Sequence, residues 1–264
     1  MKSSHSLIIV GFGIKFVSHL TVETKTYIEK ADKVLYLVNN PAVKEWIKEH
    51  NTDSESLDAL YQSYTLRPDS YRAISDYILE NLKKGQHVCV VFYGHPAVFA
   101  QPGITAVTEA RKAGYDARIL PAISAEDCLF ADLLVNPGSC GCQSFEATDF
   151  LIYLRPFSIH THLILWQVGF IGAIDHPKAH DNTIGIKVLQ DYLLKQYPAD
   201  HPIILYEAAQ YPTFEPRLER LALNELSNAN INAITTLYLA PIDKVKPDQD
   251  MLAALKIPPT LLKI

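Results

Sequence analysis

Two groups of residues have the types and spacing to do chemistry. In the run Tyr61-Gln-Ser-Tyr-Thr-Leu-Arg-Pro-Asp-Ser-Tyr71, the phenols of Tyr61, Tyr64 and Tyr71 surround the guanidinium of Arg67. A free phenol ionises near pH ~10, and a guanidinium beside it favours the phenolate, so such a set can take or relay a proton. Arg67 and Tyr71 are four residues apart at a helix start, which puts them on one side. The second group is Val90-Val-Phe-Tyr-Gly-His-Pro-Ala-Val-Phe-Ala-Gln-Pro-Gly103. An apolar, β-branched run ends at Tyr93-Gly94 and delivers a phenol and the imidazole of His95 into a Gly/Pro loop. In open α/β sheets, ligands bind outside the carboxyl ends of strands. Gly94 lets backbone approach a ligand closely, and Pro96 and Pro102 stiffen the loop.

The elements that position these groups alternate. Leu7–Val10 reads as a strand closed by Gly11-Phe-Gly13. Thr21 caps a helix through Ala31, with Glu23 in its first turn. Lys33–Val38 is a strand, and Asn40 and Pro41 open a helix to His50. A helix over 68–84 has Pro68 first, apolar Tyr71, Ile74, Ile78 and Leu82 on one face, and Gly85 as its stop. The strand into Tyr93, a helix to about Ala113 and a strand Ala117–Leu120 follow. Ser124 caps a helix to about Leu134, with Glu126 and Asp127 in its acidic first turn. Later strands are expected at Phe150–Leu154, His162–Val168, Pro202–Tyr206 and Ile234–Ala240, with a helix near 185–196 and a loop at 136–148. This order implies an α/β fold with a mostly parallel sheet. The expected organisation is an N-terminal α/β domain (1–120), a C-terminal α/β domain (121–245) and a tail (246–264).

Composition limits the function classes. The chain has 264 residues, 48% apolar and 20% charged, with net charge −5. An acidic balance argues against bulk nucleic-acid binding. No run reaches the roughly 18 apolar residues of a membrane span, and the stretch before Gly11 is too short for a signal-peptide core. A cytoplasmic location is expected. Cys140-Gly-Cys142 is not a C-x-x-C and has no matching second pair, so no metal site is expected. His160 and His162, or His176 and His180 astride Pro177, read as solvated histidines rather than ligands. Gly11-Phe-Gly13 departs from a dinucleotide fingerprint, because Phe16 stands where a third glycine belongs.

Four segments together resemble the tetrapyrrole methylase superfamily: Ile8-Ile-Val-Gly-Phe-Gly13, the Tyr93–Gly103 loop, Leu120-Pro-Ala-Ile-Ser-Ala-Glu-Asp127 and Leu205-Tyr-Glu-Ala-Ala209. The Tyr61–Tyr71 segment, with Phe-Tyr-Gly-His-Pro and Ile-Ser-Ala-Glu-Asp, is similar to the borosin α-N-methyltransferases, which methylate peptide backbone amides. The resemblance implies two α/β domains with S-adenosylmethionine bound between them. By the same resemblance, the cofactor would meet Tyr93, His95, Val98, Phe99, Ser124, Ala125, Gln167, Tyr206, Ala209, Thr236 and Leu237. Read alone, Ser124 is as good a helix cap as a ligand contact.

A backbone amide is a poor nucleophile because its lone pair is delocalised. Methylating it requires alignment, stabilisation of charge on the carbonyl oxygen, and removal of the N–H proton. The resemblance gives Tyr61 the proton, gives Arg67 and Tyr71 orientation and charge stabilisation, and puts Tyr93 between cofactor and acceptor. The bland alternative makes Tyr71 core and Arg67 surface. A tetrapyrrole C-methyltransferase on the same fold would need many basic groups for its carboxylates, and arginine is sparse (Arg67, Arg72, Arg111, Arg118, Arg155, Arg217, Arg220). A ribosomal RNA methylase conflicts with the acidic balance. A non-catalytic regulator that binds S-adenosylmethionine conflicts with the retained Tyr/Arg set. The chain ends soon after the last methylase-like strand, and its Pro258-Pro259 has no amide proton to replace. A separate precursor bound in trans is therefore expected, on a homodimer, two precursors to two chains. Gln210–Pro216, with Tyr211-Pro212, is expected to form a covering loop.

Overall fold

The computed structural model describes residues 5–173, 182–243 and 245–261. His176 and His180 lie outside them. By internal contacts the chain divides into two units. The first comprises 1–136, 172–181 and 206–218; the second comprises 137–171, 182–205 and 219–264. The division falls after Asn136 rather than near Pro121, so the helix that starts at Ala125 groups with the first sheet.

The first unit is built on β1 (Ser6–Gly11), α1 (Val22–Lys30), β2 (Lys33–Leu37), α2 (Pro41–His50), β3 (Ser54–Ser56), α3 (Asp58–Gln62), α4 (Arg67–Lys83), β4 (Val88–Phe92), α5 (Gln101–Lys112), β5 (Asp116–Ile119) and α6 (Ala125–Leu133). Its sheet has the order β3-β2-β4-β1-β5, and each adjacent pair is parallel. The connection through α1 leaves β1 in one direction along the sheet; the one through α5 leaves β4 in the other. Right-handed crossovers then put the two helices on opposite faces. Ile28 of α1, with Val43 and Ile47 of α2, packs on one face. Ile74, Ile78 and Leu82 of α4, with Ala106, Val107 and Ala110 of α5, pack on the other. Each fully buried Leu or Ile on these stripes contributes about 1.5–3 kcal/mol of transfer free energy. The direction changes between β4 and β1, so their carboxyl ends form the switch point of the sheet.

The helix ends follow their residues. Thr21 Oγ1 accepts from the Thr24 N–H and Asn40 Oδ1 from the Ala42 N–H. The 68–84 helix starts one residue earlier than expected, so Arg67 rather than Pro68 is its first residue. Two small elements were not foreseen. β3 is three residues long, and its edge is held by Lys33, whose Nζ lies 2.8 Å from Asp53 and 3.0 Å from Glu55. α3 is a five-residue turn tied to α2 by the Lys44–Asp58 ion pair.

In the second unit lie β6 (Cys142–Glu146), α7 (Ala147–Ile152), β7 (His162–Trp166), α8 (Thr183–Leu193), β10 (Thr236–Leu239) and α9 (Gln249–Ala254). β8 (Pro202–Glu207) and β9 (Arg217–Ala222) each start in one unit and end in the other. The strands form a sheet of order β6-β7-β10-β8-β9, in which β6 is parallel and β10 antiparallel to β7. Two expectations are corrected here. Phe150–Leu154 is not a strand: Phe150 and its neighbours belong to α7, capped by the Glu146 carboxylate on the Asp149 N–H at 2.7 Å. A short apolar run does not distinguish strand from helix by period. Phe150 is fully buried among Phe145, Phe157 and Tyr192. The supposed loop 136–148 contains β6, an edge strand whose polar residues hid it. β9 was likewise missed. The tail carries α9, anchored by a mostly buried Leu252, while Met251 and Leu255 are exposed. Among the described residues, no helix is long and apolar enough to cross a membrane.

Candidate functional site in the two units

At the switch point two loops, those after β4 and β5, crowd one glycine of β1. A Cβ on Gly11 would lie 2.1 Å from the Gly94 carbonyl oxygen, 2.6 Å from Ala122 Cβ and 2.8 Å from Pro96 Cδ. Gly13 and Gly94 bond reciprocally, N to O, at 3.3 and 3.1 Å, and both take the left-handed φ that favours glycine. The loop after β4 is thereby fixed at its base. Beyond it, His95 Nδ1 accepts from the Ala97 N–H at 3.1 Å. Tyr93, Val98 and Phe99 stay 38–50% exposed, an apolar and aromatic surface suited to a nucleoside ring. Phe99 itself has φ 53°, a strained conformation for a non-glycine residue and typical of ligand-binding loops.

The Tyr/Arg group is assembled in the first unit. Tyr61 and Tyr71 stack with ring centroids 6.2 Å apart and planes at 23°, and their side chains are hydrogen-bonded. Ser70, fully buried on α4, donates its hydroxyl to the Tyr61 carbonyl at 2.8 Å and so holds α3 against α4. Arg67 lies within electrostatic range of Tyr61 and donates to the Ala173 carbonyl at 3.0 Å. Tyr71 is half-buried and stands outside the apolar core, so it is not a core residue. Burial first, then Tyr71, outweigh the pull of Arg67 and push Tyr61 up to about 12. Tyr61 is a neutral phenol at physiological pH.

Tyr93 belongs to a different cluster of the same unit. Burial, then Cys128, raises its phenol to about 12. Tyr206, fully buried, donates to the Asp132 carboxylate at 2.7 Å, and burial and that bond hold it protonated. Its hydroxyl is thus committed within the protein. Ser124 is similarly engaged. Its Oγ accepts from the Asp127 N–H at 3.1 Å and donates to the Asp127 carboxylate at 2.7 Å, while its own N–H donates to the same carboxylate at 2.7 Å. This is a complete capping box. What a ligand could meet there is the helix start at Ala125, which is half-buried. Ala209 is buried just beyond β8. Sequence reading missed Asp132, His19 and Ser70. Cys128 and Asp132 are four apart on α6, a spacing visible in the sequence but silent without Tyr206. His19 Nδ1 accepts from the N–H groups of Ile14 and Lys15 at 3.3 and 3.2 Å and so shapes the first loop.

In the second unit, Gln167 follows β7 with φ 57°, a second strained non-glycine residue at a strand end. Thr236 is buried and Leu237 lies in the core, so a ligand would meet their backbone rather than their side chains. Gly169 allows the approach of β10: a Cβ there would sit 2.1 Å from the Asn232 carbonyl oxygen. His162 Nδ1 pairs with the Tyr238 hydroxyl at 2.7 Å. Among the described residues, no group of His, Cys, Asp and Glu is arranged to hold a metal. The loop 210–216 folds on its own unit. Asn40 Nδ2 donates to the Tyr211 hydroxyl at 3.0 Å, and the Phe16 N–H donates to the Gln210 carbonyl at 2.9 Å.

Residues 6–222 match the family model of the tetrapyrrole (corrin/porphyrin) methylases. The chain belongs to that family. It is 38% identical over 263 residues, 98% of this chain, to the methyltransferase/ribosomally synthesized cyclic peptide lentinulin A precursor of Lentinula edodes. It is also 38% identical, over 96% of its length, to the omphalotin A counterpart of Omphalotus olearius. With the type I borosin cyclic peptide precursor of Coprinopsis marcescibilis it is 39% identical over 95%. The chain spans 63%, 62% and 66% of these three relatives. The fold is shared with the uroporphyrin-III-C-methyltransferase of Thermus thermophilus, at TM-score 0.63 and 18% identity over 94% of this chain and 99% of that one. A crystal structure of diphthine synthase aligns at TM-score 0.58 and 17% identity, covering 89% and 90%.

Proposed function

We propose that the chain uses S-adenosylmethionine to methylate backbone amides of a ribosomally made precursor peptide, as an α-N-methyltransferase of the borosin type. The observation that carries the reading is the joined Tyr61–Tyr71 pair beside Arg67. Those groups suit a neutral amide acceptor, and the curated relatives are named as methyltransferases and cyclic peptide precursors at once.

When bound, the cofactor supplies an electrophilic methyl group and leaves as S-adenosylhomocysteine. By the resemblance, the residues that would hold it are Tyr93, His95, Val98 and Phe99 from the loop after β4, Ser124 and Ala125 at the start of α6, Tyr206 and Ala209 at the end of β8, and Gln167, Thr236 and Leu237 in the second unit. Arg67 and Tyr71 hold the acceptor carbonyl oxygen and stabilise the charge that develops there as amide resonance shifts. The N–CH3 bond forms while the S–CH3 bond breaks, and the amide proton leaves through Tyr61. A phenol that is neutral beforehand acts as a relay, accepting one proton while passing another through Tyr71 to solvent. Tyr93 lies between cofactor and acceptor and sets their approach.

The reading has the precursor act in trans on a cytoplasmic homodimer, two precursors to two chains. The test is S-adenosylhomocysteine release. Turnover that depends on added precursor peptide and vanishes in Arg67→Ala supports the reading. Saturable cofactor binding with no turnover on any candidate peptide overturns it. Native mass spectrometry of the mixture gives the stoichiometry.

A further inference from the structure

Asp132 has no part in the sequence-derived set, yet it holds three segments of that set together. Its carboxylate accepts the Tyr206 hydroxyl at 2.7 Å. Tyr206 is fully buried at the carboxyl end of β8, three residues before the buried Ala209. Asp132 stands on α6, whose capped start presents Ala125. Cys128, on the same helix as Asp132, is within electrostatic range of both the Tyr206 phenol and Tyr93 at the end of β4. The end of β4, the body of α6 and the end of β8 thus come near one hydrogen-bonded pair. His19, whose ring fixes the loop after β1 through the Ile14 and Lys15 amides, is within electrostatic range of Asp132. A hydrogen bond to a charged, partly buried acceptor fixes direction as well as distance. A tyrosine lacking that partner leaves β8 without a lateral hold on α6.

We propose that Asp132, acting through the Tyr206 hydroxyl, is a positioning residue that sets the end of β8 and the start of α6 in the geometry that receives the cofactor. The inference rests on the proposed use of S-adenosylmethionine. It assigns Asp132 no contact with cofactor or acceptor. Its effect belongs to cofactor affinity, not to the chemistry of the acceptor amide, because Tyr61, Arg67 and Tyr71 form a separate cluster.

The test is calorimetric titration of the full chain with S-adenosylhomocysteine, with kcat and KM for S-adenosylmethionine in parallel. Asp132→Ala and Tyr206→Phe are each expected to weaken binding about tenfold (about 1.4 kcal/mol). The double variant should be no weaker than either single one, because both remove the same bond. Asp132→Asn keeps an acceptor oxygen and is expected to recover most of the affinity. At saturating cofactor, kcat of Asp132→Ala should stay within about threefold of the parent. Unchanged affinity in both single variants, with the parent binding normally, overturns the inference. So does a fall in kcat with no change in affinity, or full additivity in the double variant. A parent that binds no S-adenosylhomocysteine overturns the cofactor reading instead. Should Asp132→Ala fail to fold, Tyr206→Phe decides alone, since it removes one oxygen and keeps the ring.

Discussion

Tyr61 and Tyr71 come from two separate helices and yet stack as one pair, 6.2 Å between ring centroids, with their side chains hydrogen-bonded. The turn 63–66 between α3 and α4 reverses the chain, and Ser70 locks the reversal by bonding the Tyr61 carbonyl. Ser70 is fully buried, so its loss would remove a buried hydrogen bond between α4 and α3. Ser70→Ala is expected to destabilise by about 1–3 kcal/mol and to lower turnover with little change in cofactor affinity. Denaturant unfolding and steady-state kinetics measure the two effects.

Arg67→Ala removes the cation beside the phenols, and Tyr71→Phe removes one member of the pair. Each is expected to lower kcat by 10²-fold or more, of the order seen when one charge-stabilising donor is lost. Cofactor binding should be nearly unaffected. Single-turnover kinetics with calorimetry separates the two quantities.

Alkaline stability follows from the buried phenols. Tyr61, Tyr197 and Tyr238 are each raised to about 12, in every case chiefly by burial. A folded-state value above the unfolded one means that the proton binds more tightly in the native chain. The stability linked to it is therefore complete below pH ~10, the unfolded value, and is lost as pH rises towards 12. His19, His162 and His201 are lowered, chiefly by burial. Their contribution is present above pH ~6.5 and is lost as pH falls through the folded values. Melting temperatures across pH should form a plateau from about 7 to 10 and fall on both sides.

How much of this was legible in advance depended on how local the signal was. Thr21, Asn40 and Ser124 announced helix starts because capping is a matter of a few adjacent residues. The inner strands of the first sheet, β1, β2 and β4, were legible because buried parallel strands are largely apolar runs. Phe150–Leu154 misled for the same reason, since the run fits either element and its cap is a glutamate. β6 and β9 carry the polar faces of sheet-edge strands, and only their neighbours in space define them. In the candidate site, Tyr61, Arg67 and Tyr71 could be placed together from spacing and resemblance. The neutrality of Tyr61 could not, because it depends on burial. Asp132 and Tyr206 are distant in sequence, and nothing local joins them.

Glycine substitution tests the crowding at the switch point. Gly11→Ala would drive a methyl group into the Gly94 carbonyl and Ala122. Backbone must move to relieve it, so a loss of about 2–4 kcal/mol is expected, with weaker cofactor binding. Chemical denaturation of the variant measures the first and calorimetry the second.

Tyr197 offers a contrasting case. Its ring stacks on Phe157 at 6.2 Å and 11°, but its buried hydroxyl has no hydrogen-bond partner among the described residues. Tyr197→Phe removes an unsatisfied polar atom and keeps the packing. It is expected to stabilise the chain by about 1 kcal/mol, read as a higher melting temperature.

The central claim is that the Tyr61–Tyr71–Arg67 group directs methyl transfer to peptide backbone nitrogen. The most direct measurement is tandem mass spectrometry of a precursor peptide after incubation with the protein and methyl-deuterated S-adenosylmethionine. The expected result is deuterated methyl groups on backbone nitrogens, localised by fragment ions and absent with Arg67→Ala. Label found only on side chains, or none on any peptide while a small-molecule acceptor is methylated, would contradict it.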